Sequence, residues 1–210
     1  PSVVVICETW FKKQHPDSMF EIEGYSLFRH DRVGRKGGGV CIYLETCLSS
    51  EPLPVPLKDD TFEFVWRRVK LSDKQSFILC GLYHPPNSSV TKYTAADLIA
   101  ELDSVINICH FLYPSDFFVL TGDVNCLDVT NLCSDNGLMQ LVNEPTHGTN
   151  ILDKFITNRP DLFSVHTVVS SVKTKHKAVL ANCYSLATVP PPTAVSVKQV
   201  KQFYDIRSQH

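Results

Sequence analysis

The chain has 210 residues, 43% hydrophobic and 20% charged, with a formal net charge of −2. That length and composition support one ordinary domain with its own core and exclude a disordered chain. No apolar run approaches the ~18–20 residues of a membrane helix, and near-neutrality excludes a general basic coat for nucleic acid, so any such contact must be local.

Pro1 leads straight into an apolar run, which reads as a fragment or a processed piece. Strand patterns rich in Val, Ile, Phe and Tyr, bounded by Gly, Pro, Asn or Asp, follow at Val3–Cys7, Tyr25–Arg29, Gly39–Leu44, Glu63–Leu71 and Ser76–Tyr83. A short helix is expected near Asp17–Phe20, after the Pro16 break, and the last two strands read as a hairpin across Ser72–Gln75. The clearest helix is Ala95–Phe111, which places Leu98, Leu102, Val105, Ile106 and Cys109 on one face. Beyond it come a strand at Phe117–Thr121, a short helix around Asn131–Leu141, and strands at Phe155–Thr157, Ser164–Ser170 and Ala178–Tyr184. Strands outnumber helices, so two packed sheets flanked by helices fit better than a parallel βαβ series. The composition changes at Ser185–Val195, where three consecutive prolines mark a linker. The expected organisation is one domain over residues 1–186 and a Pro-rich linker with the start of a following segment over 187–210.

The eight cysteines form no C-x-x-C pair, which argues against a zinc ribbon. Several sit inside apolar runs, and buried reduced thiols in a reducing, intracellular compartment explain them best.

Polar residues recur just past the strand ends. Glu8 follows VVVIC, Tyr83 and His84 end FILCGL, Asp123 and Asn125 follow FFVLTG, Asp153 precedes FIT, and His176 precedes AVLANCY. Taken singly, each has a bland reading as a turn former, cap, packed aromatic or surface charge. Gathered at one rim on loops held by rigid strands, they suit metal-assisted phosphate chemistry: oxygen ligands for Mg²⁺, a His or Asp for the proton, neutral donors for phosphate.

The ordered set ETW (8–10), GYSLFRHDR with GGGVCIY (24–32, 37–43), GLYHPPNSS (81–89), TGDVN (121–125) and NEPTHGTNILDKFITNRPD (143–161) resembles the endonuclease/exonuclease/phosphatase superfamily. More narrowly, it resembles the apurinic-type endonuclease domain of non-LTR, LINE-like retrotransposons, over about Val3 to Tyr184. The resemblance implies an α+β, four-layer sandwich of two mainly antiparallel mixed sheets with helices outside, its first strand missing here. It implies Glu8 as the metal ligand for Mg²⁺, with Mn²⁺ as a substitute. It further implies Tyr83 at the scissile phosphate, Asp123 and Asn125 orienting or deprotonating the attacking water and steadying the phosphate, and Asp153 hydrogen-bonding the catalytic His176. The implied substrate is DNA, nicked in the nucleus to leave a 3′-hydroxyl, with a reverse-transcriptase module downstream.

Three departures from the family pattern bear on activity. The family triplet S-D-H reads Thr174-Lys175-His176, and an inward Lys175 ~4 Å from a site charge would interact with it by roughly 4 kcal/mol. The absent first strand would remove one polar ligand, and His84 stands where many relatives carry Arg. A second reading is therefore an inactive remnant or nucleic-acid-binding module of the same fold. A third, hydrolysis of another phosphoester such as a phospholipid, fits the NEPT…LDKFITN block less well.

Overall fold

The strands that organise the molecule alternate inward and outward side chains with the two-residue period of a pleated sheet. In chain order they are β1 (Val3–Cys7), β2 (Tyr25–His30), β3 (Val40–Glu45), β4 (Ser50–Glu51), β5 (Glu63–Ser72), β6 (Gln75–Tyr83), β7 (Phe117–Asp123), β8 (Met139–Gln140), β9 (Asp153–Thr157), β10 (Phe163–Val168) and β11 (Ala178–Cys183). The helices are α1 (Ala95–Leu112), between β6 and β7, and α2 (Thr130–Asp135), between β7 and β8. This is a computed structural model, and it describes residues 1–57, 61–73, 75–86 and 92–184. The expected linker, from residue 187 onward, lies outside the described residues.

A six-stranded sheet runs β4-β5-β6-β7-β9-β8; a three-stranded sheet runs β1-β3-β2, and β10 pairs with β11. Every pairing is antiparallel except β6 with β7, which α1 joins as a crossover. The β5–β6 hairpin closes with Ser72 opposite Gln75, as the sequence pattern predicts.

The six-stranded sheet divides two cores. On one face Ile78, Cys80, Phe118 and Leu120 pack against Leu98, Leu102 and Ile106 of α1 and Leu132 of α2. On the other, Leu79, Val119 and Phe155 meet Ile42 and Leu44 of β3, flanked by Val5, Phe28, Val165 and Val179 from the smaller sheets. The consecutive residues Ile78 and Leu79 thus feed opposite cores. Burying each such side chain contributes ~1.5–3 kcal/mol, which explains why this run is apolar without interruption.

The arrangement differs from the expected four layers. Among the described residues, both α-helices lie on one side of the six-stranded sheet. The outer face of the three-stranded sheet is covered instead by the 8–24 segment. There Phe20 is buried and its carbonyl accepts the hydroxyl of fully buried Tyr43 at 2.7 Å. The short helix expected at Asp17–Phe20 is one 3₁₀ turn, Asp17–Met19. That expected at Asn131–Leu141 ends at Asp135; Gly137, with φ +63°, turns the chain and Met139–Gln140 joins the sheet edge. Two-residue strands such as β4 and β8 carry too little periodicity to be read from sequence. No helix among the described residues is long and apolar enough to cross a membrane.

Candidate active site

Strand pairing brings the predicted residues to one rim. β6 and β7 are parallel, so their C-terminal ends, carrying Tyr83 and Asp123, lie on the same side. β9 runs antiparallel to β7 in a register that sets Asp153 directly opposite Asp123. The end of β1 is tied in by Cys7. Its thiol donates to the Leu82 carbonyl at 3.3 Å, and the Asp123 amide meets its sulfur at 3.2 Å. Gly122, with φ +145°, permits this close approach, because a Cβ there would fall on the Leu82 carbonyl oxygen. Burial pushes the Cys7 thiol far up, so it serves as packing and a weak donor rather than as a nucleophile.

The His176 segment is attached separately. The Lys177 amide donates to the Thr146 carbonyl at 2.7 Å, and His147 and His176 form an antiparallel bridge with ring centroids 4.7 Å apart. The hydroxyl of buried Thr146 accepts the Leu152 and Asp153 amides at 2.9 and 3.1 Å. Thr146 therefore positions both members of the Asp153–His176 pair. The resemblance names its NEPT block but gives Thr146 and His147 no role.

His176 Nδ1 lies 2.9 Å from Asp153 Oδ2. A carboxylate at Nδ1 assigns the proton there and leaves Nε2 as the acceptor. Asp123, Asp153 and His176 each offer a ligand atom within 4.8 Å of the others. Asp123 is buried, and its carboxyl is pushed up to about 6, first by burial and then by the Asp153 charge, with Glu8 adding to the effect. One Asp123 oxygen accepts the Asn125 amide at 3.0 Å. The Asn125 side-chain amide donates to the His84 carbonyl at 2.7 Å, which ties the β6 and β7 loops together.

Glu8 stands slightly apart from this group. Its Oε1 accepts the Tyr83 hydroxyl, and its Oε2 lies 3.3 Å from the Trp10 indole nitrogen. Burial and that bond to Glu8 raise Tyr83 well above an ordinary tyrosine, so it stays a neutral donor. The Arg32 guanidinium lies 5.5 Å from the centre of the Tyr83 ring and is paired with buried Glu63, whose other oxygen accepts the Gly39 amide at 2.6 Å. Arg32 and Glu63 thus brace the β2–β3 loop against Tyr83, a link that spans 31 residues and that no local motif displays. The only non-glycine residues with positive φ among those described are Glu8 (54°), Trp10 (58°) and Asn125 (49°), all at this rim.

His84 is buried against Tyr93, 3.4 Å from its hydroxyl, and burial lowers its basicity. It is a poor substitute for an exposed phosphate-binding Arg. Lys175 is exposed, whereas His176 beside it is half-buried. Its side chain turns to solvent, where its charge is screened.

The donor set fits a hard divalent cation. Oxygen ligands crowd at the rim, where the charges of Asp153 and Glu8 add to burial in holding the Asp123 carboxyl up, and a cation would offset that charge.

No protein-family model matches this chain, and no curated protein matches it in sequence. Solved structures do. An AP endonuclease from Leishmania major superposes with a TM-score of 0.60 at 13% identity, covering 85% of this chain and 77% of that one. The Xenopus laevis APE2 catalytic domain gives 0.60 at 13%, covering 87% and 83%. TDP2 from Caenorhabditis elegans gives 0.60 at 11%, covering 86% and 63%. The chain shares the fold of these AP endonuclease and TDP2 structures, and at these identities the likeness is one of fold alone.

Proposed function

We propose that this chain is a divalent-metal-dependent phosphodiesterase that nicks DNA, the endonuclease domain of a non-LTR retrotransposon protein. The observation that carries the reading is the convergence at one rim of the Asp153–His176 pair, Asp123, and Glu8 with its Tyr83 donor. The retrotransposon assignment rests on the NEPT…LDKFITN block and its companions. DNA as substrate is supported by that block and by the structurally similar zebrafish TDP2, solved with a single-strand DNA product.

In this reading His176 Nε2 takes the proton of the attacking water while Asp153 keeps the imidazole in the right tautomer and stabilises its cation. Such acid–base help is typically worth ~10²–10⁴-fold. With substrate bound, the Tyr83 hydroxyl turns from Glu8 to donate to a phosphate oxygen, and Asp123 and Asn125 fix the water. Glu8 and Asp123 would hold Mg²⁺ or Mn²⁺, and the ion would supply Lewis-acid stabilisation of negative charge on the phosphate. Within the parent polypeptide a reverse transcriptase would extend the 3′-hydroxyl, and the place of action would be the nucleus.

The test is supercoiled plasmid with Mg²⁺, comparing the native chain with Glu8→Ala, His176→Ala and Lys175→Asp. Nicking by the native chain and its loss in the first two is the expected result. If the native chain matches Glu8→Ala while Lys175→Asp nicks, the domain is a degenerate nuclease. If no version nicks, the second reading, a nucleic-acid-binding module of the same fold, takes its place.

A further inference from the structure

Trp10 is 45% exposed although it lies two residues from Glu8 at the rim. A single exposed aromatic is ordinary on a protein surface. This one is held in place. Its backbone is left-handed, its amide donates to the Gly38 carbonyl at 2.9 Å, and its indole nitrogen sits 3.3 Å from Glu8 Oε2. The indole lies against the β2–β3 loop, where a Cβ on Gly37 would stand 3.7 Å from the ring. The exposed Lys36 places its ammonium 5.6 Å from the ring centroid. A half-exposed π surface, a cation over it and a phosphate-type site bonded to its edge form the combination by which single-stranded nucleic acid is held: bases stack and the backbone is neutralised.

We infer that Trp10 is a stacking platform for an unpaired nucleobase adjacent to the scissile phosphate, with Lys36 taking a neighbouring backbone phosphate. This rests on the reading of the rim as a phosphodiester site and adds that the substrate presents a base out of its duplex stack. It separates a nucleic acid from a phospholipid or sugar phosphate, which have no aromatic base to stack.

The chain has two tryptophans, and Trp66 is 4% exposed, so changes in emission on binding report on Trp10. The native chain is titrated in EDTA with an oligothymidylate, a fully paired hairpin of similar charge, and inorganic polyphosphate, reading tryptophan emission and, for the two nucleic acids, anisotropy. Oligothymidylate is expected to quench the emission, the hairpin to quench less, and polyphosphate to bind without quenching. Trp10→Ala should weaken oligothymidylate binding roughly tenfold. Trp10→Phe, which keeps a ring but loses the N–H, should weaken it far less; unchanged Trp66 emission reports that both variants are folded. Lys36→Ala should weaken oligothymidylate and polyphosphate alike. Absence of oligothymidylate binding, binding without quenching, equal quenching by polyphosphate or hairpin, or a Trp10→Ala variant that binds as the native chain does would each overturn the platform. Plasmid nicking is scored separately. Nicking without quenching removes the platform and leaves the phosphodiesterase reading; quenching without nicking does the reverse.

Discussion

Asp153 and His176 are 23 residues apart in the chain and 2.9 Å apart in space, and their pairing decides which imidazole nitrogen faces the rim. Asp153→Asn keeps the shape but presents an amide that can orient the ring the wrong way round. We expect it to lower the rate of nicking by about 10²-fold or more while leaving oligonucleotide affinity within a few-fold, read by plasmid kinetics and anisotropy. Gly122 is a second decisive residue. Its φ of +145° and the carbonyl that a Cβ would strike make Gly122→Ala destabilising by ~1–3 kcal/mol, visible as a lowered denaturation midpoint. At this scale the sequence displayed identities but not partners. Tyr83, Asp123 and His176 stood out by their places at strand ends. The bonds from Tyr83 to Glu8, from Arg32 to Glu63 and from Thr146 to two amides join loops far apart in the chain and leave no local pattern.

Helix α1 shows how an element was legible. Its five apolar positions repeat at helical spacing, all five are buried against the six-stranded sheet, and its start is marked by a reciprocal cap in which Thr94 accepts the Asp97 amide and Asp97 accepts the Thr94 amide. Thr94→Ala should cost ~1 kcal/mol, measured by urea denaturation; an unchanged midpoint would mean the cap is redundant with packing. The same reasoning misjudged α2. The helix expected around Asn131–Leu141 stops at Asp135, because Gly137 turns the chain and the following residues satisfy their backbone against β9. Tertiary pairing overrode local spacing because an edge strand gains ladder bonds that a frayed helix end lacks.

At the scale of the molecule, the two cores lie on opposite faces of one sheet and the acidic rim lies at its end. Crowded carboxylates disfavour the metal-free fold, so Mg²⁺ should stabilise it. At about 100 times its Kd the gain is about 2.7 kcal/mol, or several degrees in Tm by differential scanning calorimetry. Asp123→Asn should abolish most of that shift; a full shift in the variant would place the ion elsewhere. The thiols test the packing. All eight cysteines are free; Cys47 and Cys126 are exposed, and Cys41, Cys80 and Cys109 are buried. A thiol reagent should therefore label Cys47 and Cys126 first, and Cys41, Cys80 and Cys109 only on denaturation. Rapid native-state labelling of those three would mean the cores open readily.

By itself the sequence determined the alternation of strands, the long helix, the reduced cysteines and the identities of the rim residues, because these depend on local periodicity and on side-chain chemistry. The tertiary structure decided what depends on strand order and register. It set Asp153 opposite Asp123, brought Glu8 to Tyr83, turned Lys175 to solvent, put both described α-helices on one side of the main sheet and left Trp10 partly exposed beside Glu8. Register is a property of two segments at once, and a one-residue slip of β9 against β7 would turn Asp153 to the opposite face from Asp123.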